Sequence, residues 1–226
     1  MQNSSLRLWR RHFFYRAERL RTTWKFRFGI AAVVILLTWA TSRWWTAAIA
    51  DSLICERDVA SADAILIENF DPDYLLFERA AALRQRALAS RVLVPVPADA
   101  FGPNTVARAI AQTMAEIGRV GAIELVPIRE VEPISLNAAL DVRDFVMRRQ
   151  IRSVIVVAPL FRSRRSALVY GATLGRAGIS VRCEPVAENR SPESWTSTSH
   201  GVQNVLEQWL KLQYYRFYVL PFKGRS

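Results

Sequence analysis

Five short runs, at 62–69, 91–97, 122–128, 153–159 and 180–186, are apolar at nearly every position and alternate with longer segments of helical periodicity. A strand that is apolar on both sides must be covered on both, and parallel strands need crossover helices between them. The pattern therefore predicts an α/β fold: a three-layer, doubly wound, mainly parallel five-stranded sheet. Helices are expected at 73–88, 104–119, 135–150 and 163–177. Asp73, Asn104 and Ser135 are placed to accept bonds from free amides at helix starts, and Gly178 to close the helix before the last strand. A further segment at 199–219 has Val202, Val205, Leu206, Trp209, Leu210 and Leu212 at helical spacing and ends in Tyr214, Tyr215, Phe217 and Tyr218. It adds a C-terminal helix.

The formal charge of +11 suggests a nucleic-acid binder until it is located along the chain. Residues 1–50 hold nine Lys/Arg against Glu18, whereas residues 51–226 hold 22 against 19 acids. The folded part lacks the basic stripe that phosphate-backbone binding needs, so no nucleic-acid partner is expected.

Residues 28–50 carry one charge, Arg43, and as a helix have about the length that crosses a bilayer core of roughly 30 Å. Trp24, Trp44 and Trp45 stand near its ends, where amphipathic rings favour the headgroup level. Arg7, Arg10, Arg11, Arg16, Arg19, Arg21, Lys25 and Arg27 all precede it. The positive-inside rule then gives a basic cytoplasmic tail at 1–27, attracted to anionic lipid, a single span at 28–50 and an exported domain at 51–226. Ala48-Ile49-Ala50 before Asp51 leaves a cleaved signal as the alternative to an uncleaved anchor.

Two cysteines, Cys55 and Cys183, form neither a disulfide framework nor a metal spacing. They either bridge the start of the domain to a late strand in an oxidising compartment or pack as small apolar residues. His12 lies in the tail and His200 is isolated, which argues against histidine-dependent zinc or triad chemistry.

Ligands of doubly wound sheets bind beyond the carboxyl ends of the strands, so the junctions there are the places to search. The first, Glu68-Asn69-Phe70-Asp71-Pro72-Asp73, has no glycine to let a backbone approach phosphate; Asp71 and Asp73 are either cation ligands or a turn residue and a helix cap. In the third, Glu132, Ser135 and Asn137 bring carboxylate, hydroxyl and carboxamide to a helix start. They form a polar clamp, or else Ser135 only caps and the glutamates are solvated. The fourth puts Arg162, Arg164 and Arg165 at the start of a helix. Cations there oppose the helix dipole, and an anion would offset that cost. Arg164 is the member best suited to a solvated face.

The segments "DAILIEN", "EPISLNAALDV", "SVIVVAPLFRSRRSALVYGATLGRAGISV" and "LKLQYY" resemble the YdcF/SanA/ElyC-like family, and the likeness covers most of the domain. The resemblance implies an α/β domain of the bacterial envelope, single-span in several members, at the inner membrane with its domain outside the cytoplasm. Glu132, Ser135 and Asn137 match the family's Glu, Ser/Thr, Asn signature with compressed spacing. Arg165 falls on the arginine of its His-x-x-Arg signature, while Arg162 replaces the histidine. The family's paired glycines after the first two strands are missing, since Asn69-Phe70 and Val96-Pro97-Ala98 stand there. The expected function is binding, with or without transformation, of an anionic small molecule or lipid-linked precursor through Glu132, Ser135, Asn137, Arg162 and Arg165. The alternative is a non-enzymatic envelope assembly factor whose C-terminal helix and aromatic tail make the contacts. Neither the residues nor the resemblance specifies a cofactor.

Overall fold

The computed structural model describes residues 23–68, 73–99, 102–187 and 192–224. Six arginines of the basic tail, from Arg7 to Arg21, and Asn69, Phe70 and Asp71 of the first junction lie outside them. The chain divides into two compact units, residues 1–43 and 44–226.

The first unit contributes helix α1, Trp24–Ala40, whose N-cap Thr23 accepts a bond from the Phe26 amide and none of whose residues is buried. Helix α2, Ser42–Leu53, follows after Thr41. The expected uninterrupted span at 28–50 is thus corrected. No single helix is long and apolar enough to cross a membrane, and only α1 and α2 as a bent pair reach that length and composition. Hydroxyls cluster at the break. Thr38, Thr41 and Ser42 donate back to the Val34, Leu37 and Trp39 carbonyls at 2.8, 2.7 and 2.7 Å, a local competition with the helical ladder that bends helices. The far end of the run has a different destination: Ala50 and Leu53 are buried with Trp195, Val205 and Leu212 in a core cluster of the second unit.

In that unit β1, Ala64–Ile67, β2, Arg91–Asp99, β4, Glu124–Ile128, β5, Ser153–Pro159, and β6, Ser180–Val186, are parallel in the order β4-β2-β1-β5-β6. The mainly parallel α/β sheet is as the alternation predicts. It is six-stranded rather than five-stranded among the described residues, because β3, Gly102–Pro103, pairs antiparallel with Ala98 and Asp99. Gly102 sits at φ 121°, open to glycine alone, and lets the chain double back.

Side chains alternate across the strands. Ile65, Ile67, Ile155 and Val157 pack with helices α3, Tyr74–Gln85, and α4, Thr105–Ile117. Leu66, Val154, Val156 and Ala158 pack with α5, Ile134–Arg148, α6, Ser163–Thr173, and the C-terminal residues Tyr215 and Val219. Asp73 caps α3 by accepting from the Leu75 amide at 2.9 Å, Asn104 caps α4, and Gly178 closes the α6 region at φ 76°. Ser135 is not a cap. Pro133 starts α5 earlier without a side-chain bond, and the Ser135 amide instead donates to the Tyr215 hydroxyl at 3.1 Å. Helix α7, Ser199–Tyr214, runs into a π-helix, Tyr215–Lys223, four residues past the expected end. Cys55, just after α2, is disulfide-bonded to Cys183 of β6.

Two outcomes follow. Leu53 is 1% exposed, so Leu53→Ala should cost the folded unit about 2–5 kcal/mol in denaturant unfolding. Asp63 accepts from the Arg152 and Ser153 amides at 2.7 and 2.9 Å, and the first bond above all holds its carboxyl below the usual range. A depressed folded-state pKa stabilises above the unfolded-state value, and the gain is lost as pH falls through the folded-state one. Asp63→Ala should therefore lower stability by about 1 kcal/mol at neutral pH, with the difference vanishing in acid.

Candidate functional site at the sheet switch point

The strand order reverses between β1 and β5, so the crevice outside their carboxyl ends is where a doubly wound sheet offers a site. Glu68 follows β1 and stays in the sheet frame, donating its amide to the Val157 carbonyl at 2.9 Å. It shares the side of Ala64 and Leu66, which is the side covered by α6. Strand β5 ends in a 3₁₀ turn, Leu160–Arg162, and α6 starts directly from it with no side-chain cap.

Here Ser166 donates its hydroxyl to Glu68 Oε2 at 2.6 Å, both residues being buried. Arg165 is 8% exposed, and the Tyr215 ring centroid lies 5.6 Å from its guanidinium carbon. Burial pulls the Arg165 guanidinium below its ordinary range; Glu68 counteracts this, Arg162 adds to it, and Tyr215 and Glu207 oppose it. The Tyr170 hydroxyl, fully buried on α6, keeps its proton far above the normal range, first because of burial and then because of the Glu68 charge. Among the described residues neither Arg165 Nε nor the Tyr170 hydroxyl has a hydrogen-bond partner. Buried polar atoms left in this way cost roughly 1–3 kcal/mol each, a cost that a bound water, ion or ligand atom would offset.

Of the five residues singled out in the sequence, the structure brings Arg162 and Arg165 into one electrostatic neighbourhood and joins Ser135 to it through Tyr215. Arg162 is partly exposed and Arg164 is exposed. Asn137 has a local task, donating Nδ2 to the Val131 carbonyl at 2.8 Å across the loop before α5, and Glu132 is exposed. Glu207 of α7 faces the arginines. Its carboxyl is held below the usual range first by Lys211 and then by Arg162 and Arg165. Among the described residues no group of His, Cys, Asp and Glu could hold a metal ion.

Glu68, Ser166, Tyr170 and Tyr215 were not singled out in the sequence. Strand parity was the available signal for Glu68, and the four-residue step from Ser166 to Tyr170 places both on one side of α6. Nothing in the spacing of Tyr215 announces its contact with Ser135, 80 residues away. Compared with known proteins, the chain matches no protein-family model and no curated relative.

The chemistry on offer is a buried cation compensated within the fold by Glu68 first and Glu207 after it. Glu68→Ala removes the larger compensation and leaves the Ser166 hydroxyl only its 3.2 Å bond to the Arg162 carbonyl. It should cost about 3 kcal/mol or more in urea unfolding, whereas the double variant with Arg165→Met should recover a large part of the loss.

Proposed function

We propose that this chain is a membrane-anchored, exported domain of the bacterial envelope, a divergent relative of the YdcF/SanA/ElyC-like proteins, that binds an anionic small molecule or lipid-linked precursor at the sheet switch point. The observation that carries the reading is Arg165: a residue 8% exposed, its Nε without a hydrogen-bond partner among the described residues, in the first turn of a helix with no side-chain cap. The helix dipole adds positive potential there, and a planar guanidinium is matched to phosphate or carboxylate oxygens. Arg162, partly exposed beside it, is the member of the pair that reaches solvent and meets the incoming anion. Glu132 and Asn137 would then orient a polar group at the neighbouring helix start, with Ser135 held through Tyr215.

The disulfide between Cys55 and Cys183 supports the exported topology, since such bonds persist in oxidising compartments. The bent pair of α1 and α2 and the basic tail before it support the anchor by length and composition.

A second reading, a scaffold with a degenerate site, is favoured by one observation: Tyr215, itself buried, packs over Arg165 from the C-terminal segment and covers the cation. The two readings separate in a single experiment. Full-length chain extracted from native envelope is analysed for co-purifying small molecules by mass spectrometry, beside Arg162→Ala. Binding predicts an anionic compound that is lost from the variant, together with about 2.7 kcal/mol of stabilisation when the compound is restored to wild type at a hundredfold excess over Kd. An unchanged small-molecule profile sinks the binding reading and leaves the scaffold.

A further inference from the structure

The C-terminal segment has two sides of opposite character. One is core: Val205, Leu212, Tyr215 and Val219 are buried. On the other, Leu206, Leu210, Tyr214, Tyr218 and Phe222 recur every fourth residue and are exposed, with Phe217 beside them at 66%. An i+4 series drifts around an α-helix, and the wider turn of the π-helix from Tyr215 rotates it back, so the stripe persists across both. The rings form a ladder: Tyr214 and Tyr218 stack with centroids 5.4 Å apart, and Tyr218 and Phe222 follow at 5.7 Å. A contiguous exposed stripe of this kind marks an interaction surface.

Three features select its occupant. From Leu206 to Gly224 the sequence has Lys211, Arg216 and Lys223 against one acid, Glu207, which pairs with Lys211, so the aromatic half from Leu212 onward is purely basic. Aromatic rings interleaved with basic residues are the composition of helices that lie in the headgroup region of an anionic bilayer. The Arg216 guanidinium carbon stands 5.6 Å from the centroid of the exposed Phe217 ring, which puts a positive charge beside the apolar stripe. Thirdly, α7 packs through Val205 and Leu212 on Ala50 and Leu53 of α2. Ala50 follows Ala40, the end of the apolar α1, by ten residues of chain across the break at Thr41.

We infer that the stripe from Leu206 to Phe222 is a second membrane contact, laid in the interface of a bilayer containing anionic lipid. It rests on the reading of α1 as a membrane anchor. The contact restrains the folded unit at the surface and keeps the site on the neighbouring α6 within reach of lipid-borne headgroups, which a freely tumbling tethered domain would meet less often.

Cys55 and Cys183 are bonded to each other, so one added cysteine is the sole free thiol for a nitroxide label. Full-length chain is reconstituted into phosphatidylcholine vesicles containing phosphatidylglycerol and labelled separately at Tyr218→Cys, Phe222→Cys, Ile35→Cys on α1 and Gln112→Cys on α4. Immersion depth is read from relaxation by oxygen against a water-soluble nickel chelate. The inference predicts labels at 218 and 222 about 5–10 Å below the phosphates, 35 deeper and 112 in water. If 35 is immersed while 218 and 222 stay in water, the inference fails and the anchor stands. If 35 is also in water, the anchor reading fails and takes the inference with it. Labels at 218 and 222 shielded from both relaxers, with spin-spin broadening that grows with protein density, would assign the stripe to contact between copies and overturn the lipid assignment.

Discussion

Parallel strands that are apolar at most positions oblige the chain to cover both sides of the sheet, and that obligation fixes where polar chemistry can occur. With β1 at the centre, one crossover direction places α3 and α4 on one side and the other places α5 and α6 opposite. The crossovers part at β1 and β5, which is where a doubly wound sheet offers a site. Glu68 lies at that point by strand parity. Its burial is tolerable because α6 delivers a hydroxyl from Ser166 and a positive charge from Arg165 to the same place.

Much of this was legible in the sequence, for reasons that differ element by element. Strand β5 matches the expected bounds because it is apolar from Val154 to Pro159, so pattern and burial agree, and β6 matches them although Arg182 and Glu184 interrupt its apolar run. The caps Asp73 and Asn104 were readable because each acts within three residues of itself. Ser135 looked like the same signal, yet a phenol 80 residues downstream takes its amide, and such a partner leaves no local trace. The apolar run at 28–50 misled in another way. Hydropathy does not distinguish residues bound for lipid from residues bound for a core, and Ala50 and Leu53 belong to the core.

The arginine cluster was visible as a cluster, but its three members have separate roles that only packing assigns. Arg164 points to solvent, Arg162 is intermediate, and Arg165 is enclosed with Glu68 and the Tyr215 ring. Glu68 escaped notice because a glutamate after a strand resembles any turn residue. Position 68 continues the 64–66 alternation, and it was the tertiary placement of α6 on that side that made the alternation decisive.

The cross-link connects the site to the compartment. Ser163, first residue of α6, accepts the Cys55 amide at 3.0 Å, and the Cys183 sulfur lies 3.7 Å from the Ser163 carbonyl oxygen. Both halves of the disulfide therefore bear on the residue that launches the helix carrying Arg165 and Ser166. The bond closes a loop of 128 residues, worth about 4–5 kcal/mol in the chain-entropy account. Its local effect is narrower: it ties the end of α2 and the middle of β6 to one helical turn. Reduction would release Cys55 from β6 and leave its amide bond to the Ser163 hydroxyl as the local tie, so the helical turn that carries Arg165 is coupled to the redox state of the cross-link.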